Sequence, residues 1–255
     1  MPSKELTAAL EAVRAAGEVI RAYYGRNPSV RIKRDASPVT EADVRAEEVI
    51  QATLARAFPG YGFYGEETGE HAMNAESIWL VDPIDGTKSF VRAEPFFSTQ
   101  IALMRAGELV LGVSNAPVYN ELAWAEKGSG AFLNDHPVHV SRVSALANAS
   151  VSTGNMKSLT RPPYWDRMGR LIQRVDRIRG YGDFVHYHLL ARGALDVVIE
   201  TDVNILDVAA LAVIVREAGG TFTDLQNTPV SLSTTSVLAS NGLLHATVHA
   251  ALMSG

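Results

Sequence analysis

The apolar run Ile78-Trp79-Leu80-Val81 leads directly into Asp82-Pro83-Ile84-Asp85-Gly86-Thr87. Such a run reads as a buried strand, and Pro83, with no N–H to give a sheet ladder, marks its expected end. Gly86 supplies the backbone freedom for a sharp turn into a helix or loop. Two carboxylates three residues apart on that turn can converge on one point. Converging carboxylates repel unless a cation lies between them. Their hard oxygens suit Mg²⁺ or Mn²⁺ rather than zinc. Asp, Pro and Gly are also ordinary turn residues, so the hexapeptide gains its meaning from partners elsewhere in the chain.

One partner follows a second apolar stretch, where Tyr61-Gly62-Phe63-Tyr64 runs into Gly65-Glu66-Glu67. A strand over 61–65 beside 78–82 brings Glu66 to Asp82, so that the two share a cation; alone, such a Glu pair is solvated surface. Asp43 lies in Val39-Thr40-Glu41-Ala42-Asp43, at the start of a helix expected to reach about Phe58. Thr40 reads as its N-cap and Asp43 as the acid of a capping box. That role accounts for Asp43 without chemistry, yet a helix N-terminus also welcomes a phosphate. Asp207 opens a later helix, in which Val208, Leu211, Ala212 and Val215 recur at helical spacing before Gly219-Gly220. An acid there offsets the helix dipole and can also point out of the helix end at a cation.

In order along the chain, these fragments resemble the inositol monophosphatase-like family of metal-dependent sugar and small-alcohol phosphatases. The resemblance continues through Ala116-Pro117, Glu121-Leu122, Gly128 to Asn134, Asp207-Val208-Ala209-Ala210 and Glu217-Ala218-Gly219-Gly220. It implies an α/β layered fold, the five-layer α-β-α-β-α sandwich of the inositol monophosphatase/fructose bisphosphatase type. The N-terminal half, 1–145, would carry most metal ligands, and the C-terminal half, 146–255, would close the site as part of one compact unit. Two or three Mg²⁺ ions are implied. Glu66, Asp82, the Ile84 carbonyl and Asp85 would hold the central ions. Asp207 would join Asp82 and Asp85 at one of them, and Asp43 would serve a weaker ion through water. Thr87, with Glu66, would orient and deprotonate the attacking water, while the Gly86 and Thr87 amides bind phosphate oxygens. Two such ions about 3.5–4 Å apart suit in-line displacement. A homodimer is implied as well. The family usually has Trp before the Asp of the later helix. Here that residue is Leu206, so the metal set is expected to persist while the wall beside it loosens.

Within the family, Asp82 through Phe90 and Val91-Arg92, Gly182-Asp183-Phe184 and the ending Ala239 to His245 are similar to histidinol-phosphate phosphatases. The resemblance implies Mg²⁺-dependent hydrolysis of L-histidinol phosphate in histidine biosynthesis. Inositol 1-phosphate or a related sugar phosphate is the alternative, and a non-catalytic partnership with the transcription machinery a second one. Histidinol phosphate carries an ammonium. Glu200, where family members contact the alcohol, and Asp183 are therefore expected to pair with it, although Asp183 could instead N-cap a helix near 183–192. No covalent phosphoenzyme is expected, because Asp-nucleophile phosphatases space their two aspartates by one residue and here the gap is two.

Composition narrows the classes. The 255-residue chain has no cysteine, which excludes disulfides, zinc–thiolate sites and a cysteine-phosphatase mechanism. A net charge of −5 argues against a general nucleic-acid surface. No run approaches the ~18 apolar residues of a membrane span, and Met1-Pro2-Ser3-Lys4 leads into an amphipathic helix rather than a signal peptide, so a cytoplasmic protein is expected. His186 and His188 should point to different faces of one helix and not share a metal. His136 and His139 sit by an Asn134-Asp135 turn and read as surface. Lys88 follows Thr87, where its charge can help an anionic substrate or form a surface ion pair.

The expected elements are a helix over about 4–24, an exposed connector over 31–38, and strands at 97–105, 108–115 and 121–126. A weak boundary follows near 141–150. Beyond it the pattern predicts a strand at 150–153, helices at 165–175 and 183–192, and a strand at 195–200. A helix at 207–218, strands at 220–224 and 237–240 and a final helix from 242 complete the reading.

Overall fold

A computed structural model describes residues 2–26, 30–32 and 38–253. Among the described residues the α-helices, numbered in chain order, are α1 (Lys4–Tyr23), α2 (Glu41–Ala57), α3 (Thr87–Val91), α4 (Tyr164–Ile172), α5 (Asp183–Ala191), α6 (Ile205–Glu217) and α7 (His245–Met253). The N-terminal half contains β1 (Val30–Ile32), β2 (Pro38–Thr40), β3 (Gly62–Gly65), β4 (Gly69–His71), β5 (Ser77–Asp85), β6 (Ser98–Arg105), β7 (Glu108–Ala116), β8 (Glu121–Glu126), β9 (Ala131–Leu133) and β10 (His136–Val138). The C-terminal half contains β11 (Ser150–Thr153), β12 (Arg177–Arg179), β13 (Val197–Thr201), β14 (Thr221–Thr223) and β15 (Ser236–Ser240).

Strand patterning explains the layers. In β5, Trp79 and Val81 enter one apolar cluster while Ile78 and Leu80 enter another. In β6, Ile101 and Leu103 alternate with Ala102 and Met104 in the same way. A sheet buried on both faces needs cover on both faces, which is why these strands read as unbroken apolar runs. That eight-stranded sheet runs β10-β9-β8-β7-β6-β5-β3-β4, antiparallel except for the β3–β5 pair. The outer cover is α1 and α2. On the inner side lie α5 and α6, which also contact the second sheet.

The second sheet, β12-β11-β13-β15-β14, repeats the logic. Val198 packs inward, while Val197 and Ile199 pack toward the cluster formed with α4 and α7. The order is therefore α1/α2, sheet, α5/α6, sheet, α4/α7: the expected five-layer sandwich. As the middle layer, α6 is apolar almost all round, with every residue from Val208 to Val215 buried. Gly112 lets α6 approach β7, since a Cβ there would lie 2.3 Å from the Ala210 carbonyl oxygen. Leu206 is itself buried in this inter-sheet core, at 4% exposure.

The strand at 78–82 does not stop at Pro83. It continues to Asp85 through a register shift between Asp82 and Asp85. A bulge is where a residue can lack its ladder bond, and the Thr99 hydroxyl donates to the Pro83 carbonyl at 2.9 Å to hold it. Six three-residue strands, β1, β2, β4, β9, β10 and β12, lie outside the expected set, and α6 begins two residues before Asp207. Part of the expected connector, 31–32, pairs with β2; residues 33–37 lie outside the described residues. The segment near the weak boundary is bonded to the second half, with Asn241 Nδ2 donating to Ser141 Oγ at 2.9 Å and to the Val143 carbonyl at 2.8 Å.

Candidate active site

Three structural ends meet at one cleft: the bulged end of β5, the N-terminus of α6 and the turn after β3. Parallel pairing sets Gly65 against Val81, so the chain leaves β3 beside Asp82 and the Glu66 N–H donates to the Val81 carbonyl at 3.1 Å. The carboxyl groups of Glu66 and Asp82 touch. In the bulge, the Ile84 N–H donates to Asp82 Oδ1 at 2.9 Å, which fixes that carboxylate, and Asp85 follows on the exposed side. Asp207 reaches the same point from α6, where it closes a capping box with Asn204. Carboxylate oxygens of Asp82, Asp85 and Asp207 lie within 4.8 Å of one another.

The electrostatics of this group are unfavourable without a cation. Burial, then Glu66 and the two other aspartates, pushes the Asp82 carboxyl well above the usual range. Asp85 is pushed well up by burial and by Asp183, Asp207, Glu200 and Glu66. Burial raises Asp207 to about 7, with Glu66 and Glu200 adding to it against the Asn204 bonds. Hard oxygen donors that repel one another fit a divalent cation of the Mg²⁺ type.

Beside the cluster, Gly86 has φ 90 and begins α3. A Cβ on it would sit 2.7 Å from the Phe96 carbonyl oxygen, so only glycine makes this turn. The Thr87 hydroxyl lies 3.1 Å from Asp43 Oδ1 and 3.0 Å from the Ile84 carbonyl, and donates its one proton between them. Asp43 is the capping-box acid expected at the start of α2, its Oδ2 accepting from Thr40 N–H at 2.8 Å and Thr40 Oγ1 at 2.6 Å. It is fully buried and stands outside the three-aspartate group. Its Oδ1 thus faces Thr87, while its Oδ2 closes the cap of α2.

The cleft measures about 360 Å³ and is lined by Pro38, Glu66, Asp82, Ile84, Asp85, Gly86, Thr87, Lys88, Ser89, Asn155, Asp183 and Asp207. Lys88 is exposed at its rim. Asp183 does not cap its helix: Gly182 occupies the N-cap position without a side-chain bond, and Asp183 is the first residue of α5 at φ 46. Burial, and then Glu200, raises its carboxyl to about 6. Glu200 is 3% exposed and already bonded, with the Tyr187 hydroxyl donating to Oε2 at 2.7 Å and His186 Nε2 at 3.1 Å from the same oxygen. It is thus a carboxylate fixed by its neighbours behind the cleft.

His186 and His188 diverge as their spacing requires. His188 bonds Glu121 at 2.9 Å and Ser114 at 3.0 Å on the other side of α5. His136 and His139 are exposed. Sequence reasoning passed over Glu47, which is fully buried on α2 and accepts from Glu67 N–H at 2.9 Å, Thr68 N–H at 2.7 Å and Thr68 Oγ1 at 2.6 Å. It thereby sets the turn that carries Glu66. Its signal was a charge on the buried stripe Ala46, Ile50, Leu54. Tyr187 and Asn155 were also passed over. No helix among the described residues is long and apolar enough to cross a membrane.

The family model described as "Inositol monophosphatase family" matches residues 1–254. A histidinol-phosphatase of Mycobacterium tuberculosis is 39% identical over 261 residues, covering 100% of both chains. An inositol-1-monophosphatase of Caulobacter vibrioides is 34% identical, covering 92% of this chain and 96% of its own. Among solved structures, the extragenic suppressor protein suhB of Bartonella henselae superposes with a TM-score of 0.91 at 33% identity, covering 99% of this chain and 100% of its own.

Proposed function

The chain belongs to the inositol monophosphatase family of metal-dependent phosphatases, and from that premise we propose that it hydrolyses L-histidinol phosphate to L-histidinol and phosphate with Mg²⁺. The observation that carries the choice of substrate is the acidic wall formed by Asp183 and Glu200 behind the three-aspartate cluster. Both carboxylates act electrostatically on Asp85, so the wall is continuous with the metal end of the cleft. In histidinol phosphate the ammonium sits on the carbon next to the one that bears the ester. With the phosphate drawn to the cations that Asp82, Asp85 and Asp207 would hold, the neighbouring ammonium of the substrate would be turned toward that wall.

Glu66, Asp82, Asp85, Asp207 and the Ile84 carbonyl are the residues that would hold the ions. When bound, such ions neutralise the phosphate, and they lower the barrier to attack by water. The chain's own groups do the rest. The Thr87 hydroxyl donates to Asp43 and offers its oxygen to the attacking water; as the water gives its proton to that oxygen, the Thr87 proton passes to Asp43, with Glu66 as the carboxylate beside it. The Gly86 turn aims the Gly86 and Thr87 amides at the phosphate oxygens.

Turnover of L-histidinol phosphate against inositol 1-phosphate tests the reading. A higher kcat/KM is expected for histidinol phosphate. Asp183→Asn should lower that value about tenfold, the scale of one charge-assisted bond, while hydrolysis of a featureless aryl phosphate changes little. Preference for inositol 1-phosphate, which has no ammonium to meet the wall, would overturn it.

A further inference from the structure

Glu200 is held from three directions. From α5 come His186 and Tyr187, three and four residues after Asp183, and both reach Glu200 Oε2. Tyr187 is buried, with its ring stacked on Phe222 at 5.5 Å and edge-on to His186 at 4.2 Å, which leaves its hydroxyl one direction to point. From β11, the Ser152 hydroxyl accepts the Tyr181 N–H at 3.2 Å and lies 3.3 Å from His186 Nδ1. An imidazole lone pair at Nε2 would face the carboxylate lone pairs. Ser152 therefore donates to Nδ1, and the His186 proton sits on Nε2, aimed at Glu200. Both donors meet Oε2. The other oxygen, Oε1, has Asn155 Nδ2 at 3.4 Å and lies where Gly154 leaves room, since a Cβ on Gly154 would be 2.1 Å away.

We infer that Tyr187 and His186 are positioning residues for substrate selection, fixing Glu200 so that Oε1 faces the ammonium of a small amino-alcohol phosphate. The inference rests on the histidinol phosphate reading above and names what enforces it. Stability alone does not account for the network, because burying a hydrogen-bonded charge in place of apolar packing seldom gains stability. The phenol stays a donor throughout the working range, since burial and then Glu200 push its pKa well up.

The test compares the Mg²⁺-loaded wild type with Tyr187→Phe, His186→Leu, His186→Gln and Gly154→Ala. The readout is the ratio of kcat/KM on L-histidinol phosphate to that on p-nitrophenyl phosphate, together with inhibition by L-histidinol. Tyr187→Phe should lower the ratio about tenfold, mainly through KM, and weaken L-histidinol inhibition in parallel. His186→Gln, which keeps an N–H toward Oε2, should recover most of what His186→Leu loses. Gly154→Ala, on a different element, should give the same selective loss and so keeps the test valid if an α5 variant fails to fold. Equal losses on both substrates, or an unchanged ratio, would overturn the inference. A wild type that prefers inositol 1-phosphate would instead overturn the histidinol reading, and a preserved wild-type preference with no selective loss would overturn the positioning role alone.

Discussion

Glu47 and Asp85 are both acids of the N-terminal half, the first fully buried and the second half-buried at the cleft, and their surroundings are opposite. Glu47 sits in the middle of α2 and receives three donors from the Glu67–Thr68 turn. Asp85 sits at the bulged end of β5, where its neighbours are four other carboxylates: Asp183, Asp207, Glu200 and Glu66. The first site is complete in itself, because each acceptor oxygen has a donor and the charge ties two segments together. The second is incomplete until something positive arrives. Buried charge thus marks structure where donors meet it and function where like charges are forced together.

The largest effect should come from breaking the incomplete site. Asp85→Asn should lose nearly all turnover, and chelation should do the same to the wild type, with Mg²⁺ restoring it. Full activity in EDTA would remove the metal from the reading altogether. Thr87→Ala follows in size. If the hydroxyl held between Asp43 and the Ile84 carbonyl takes part in activating water, kcat should fall on the order of a hundredfold with KM little moved. A defect confined to KM would make Thr87 a phosphate contact only.

How much of this could be read beforehand depended on chain separation. Asp82, Asp85 and Gly86 lie on one turn, so local rules exposed them. Both capping boxes, Thr40/Asp43 and Asn204/Asp207, are also local, since each closes over three residues. Long strands such as β6 and β7 were legible, their turn made by Ala106 and Gly107 at positive φ. The short strands β1, β2, β4, β9, β10 and β12 were not, because three residues carry no periodicity. Pro83 misled for a related reason: its missing donor ends a regular ladder, and the bulge removes the need for one. Glu47 bonds residues about twenty positions away, and Tyr187 bonds Glu200 thirteen away. Neither partnership has a local sequence mark. The layer order came from family resemblance, and only the alternating burial of β5, β6 and β13 gives it a physical cause.

The same chemical change should have opposite effects on stability at the two sites. In chelator, Glu47→Gln turns an amide N–H toward a buried donor and should cost about 1–3 kcal/mol, a loss of several degrees in Tm at about 2–4 °C per kcal/mol for a chain of this size. Asp85→Asn removes one of several repelling charges and should leave the chelated protein as stable as the wild type or more so. With saturating Mg²⁺ the wild type should gain Tm, because the ion binds only the folded site, whereas Asp85→Asn gains little. Thermal melts of the two variants with and without Mg²⁺ decide the matter. Destabilisation of both by similar amounts in chelator would erase the distinction between a satisfied and a repelling acid.

The smallest effect is a pH dependence, and its sign follows from the raised carboxyls. An ordinary unfolded aspartate titrates near about 4, while folded Asp183 is raised to about 6 and Asp207 to about 7. Between those values the folded, metal-free protein binds more protons than the unfolded chain, so its stability falls as pH rises through the window. For these two groups the advantage is fully present below about pH 4 and gone above about 7. His188 pulls the other way, since burial lowers its pKa and favours folding as pH rises. Its bonds to Glu121 and Ser114 lie away from the aspartates, so a comparison at each pH with and without Mg²⁺ cancels it. The Tm difference between Mg²⁺ and chelator should therefore widen from pH 5 to pH 8, as the ion replaces protons that the cluster would otherwise hold. In Asp85→Asn the widening should shrink. A difference that stays flat across that range would mean that the aspartates do not repel as their geometry requires.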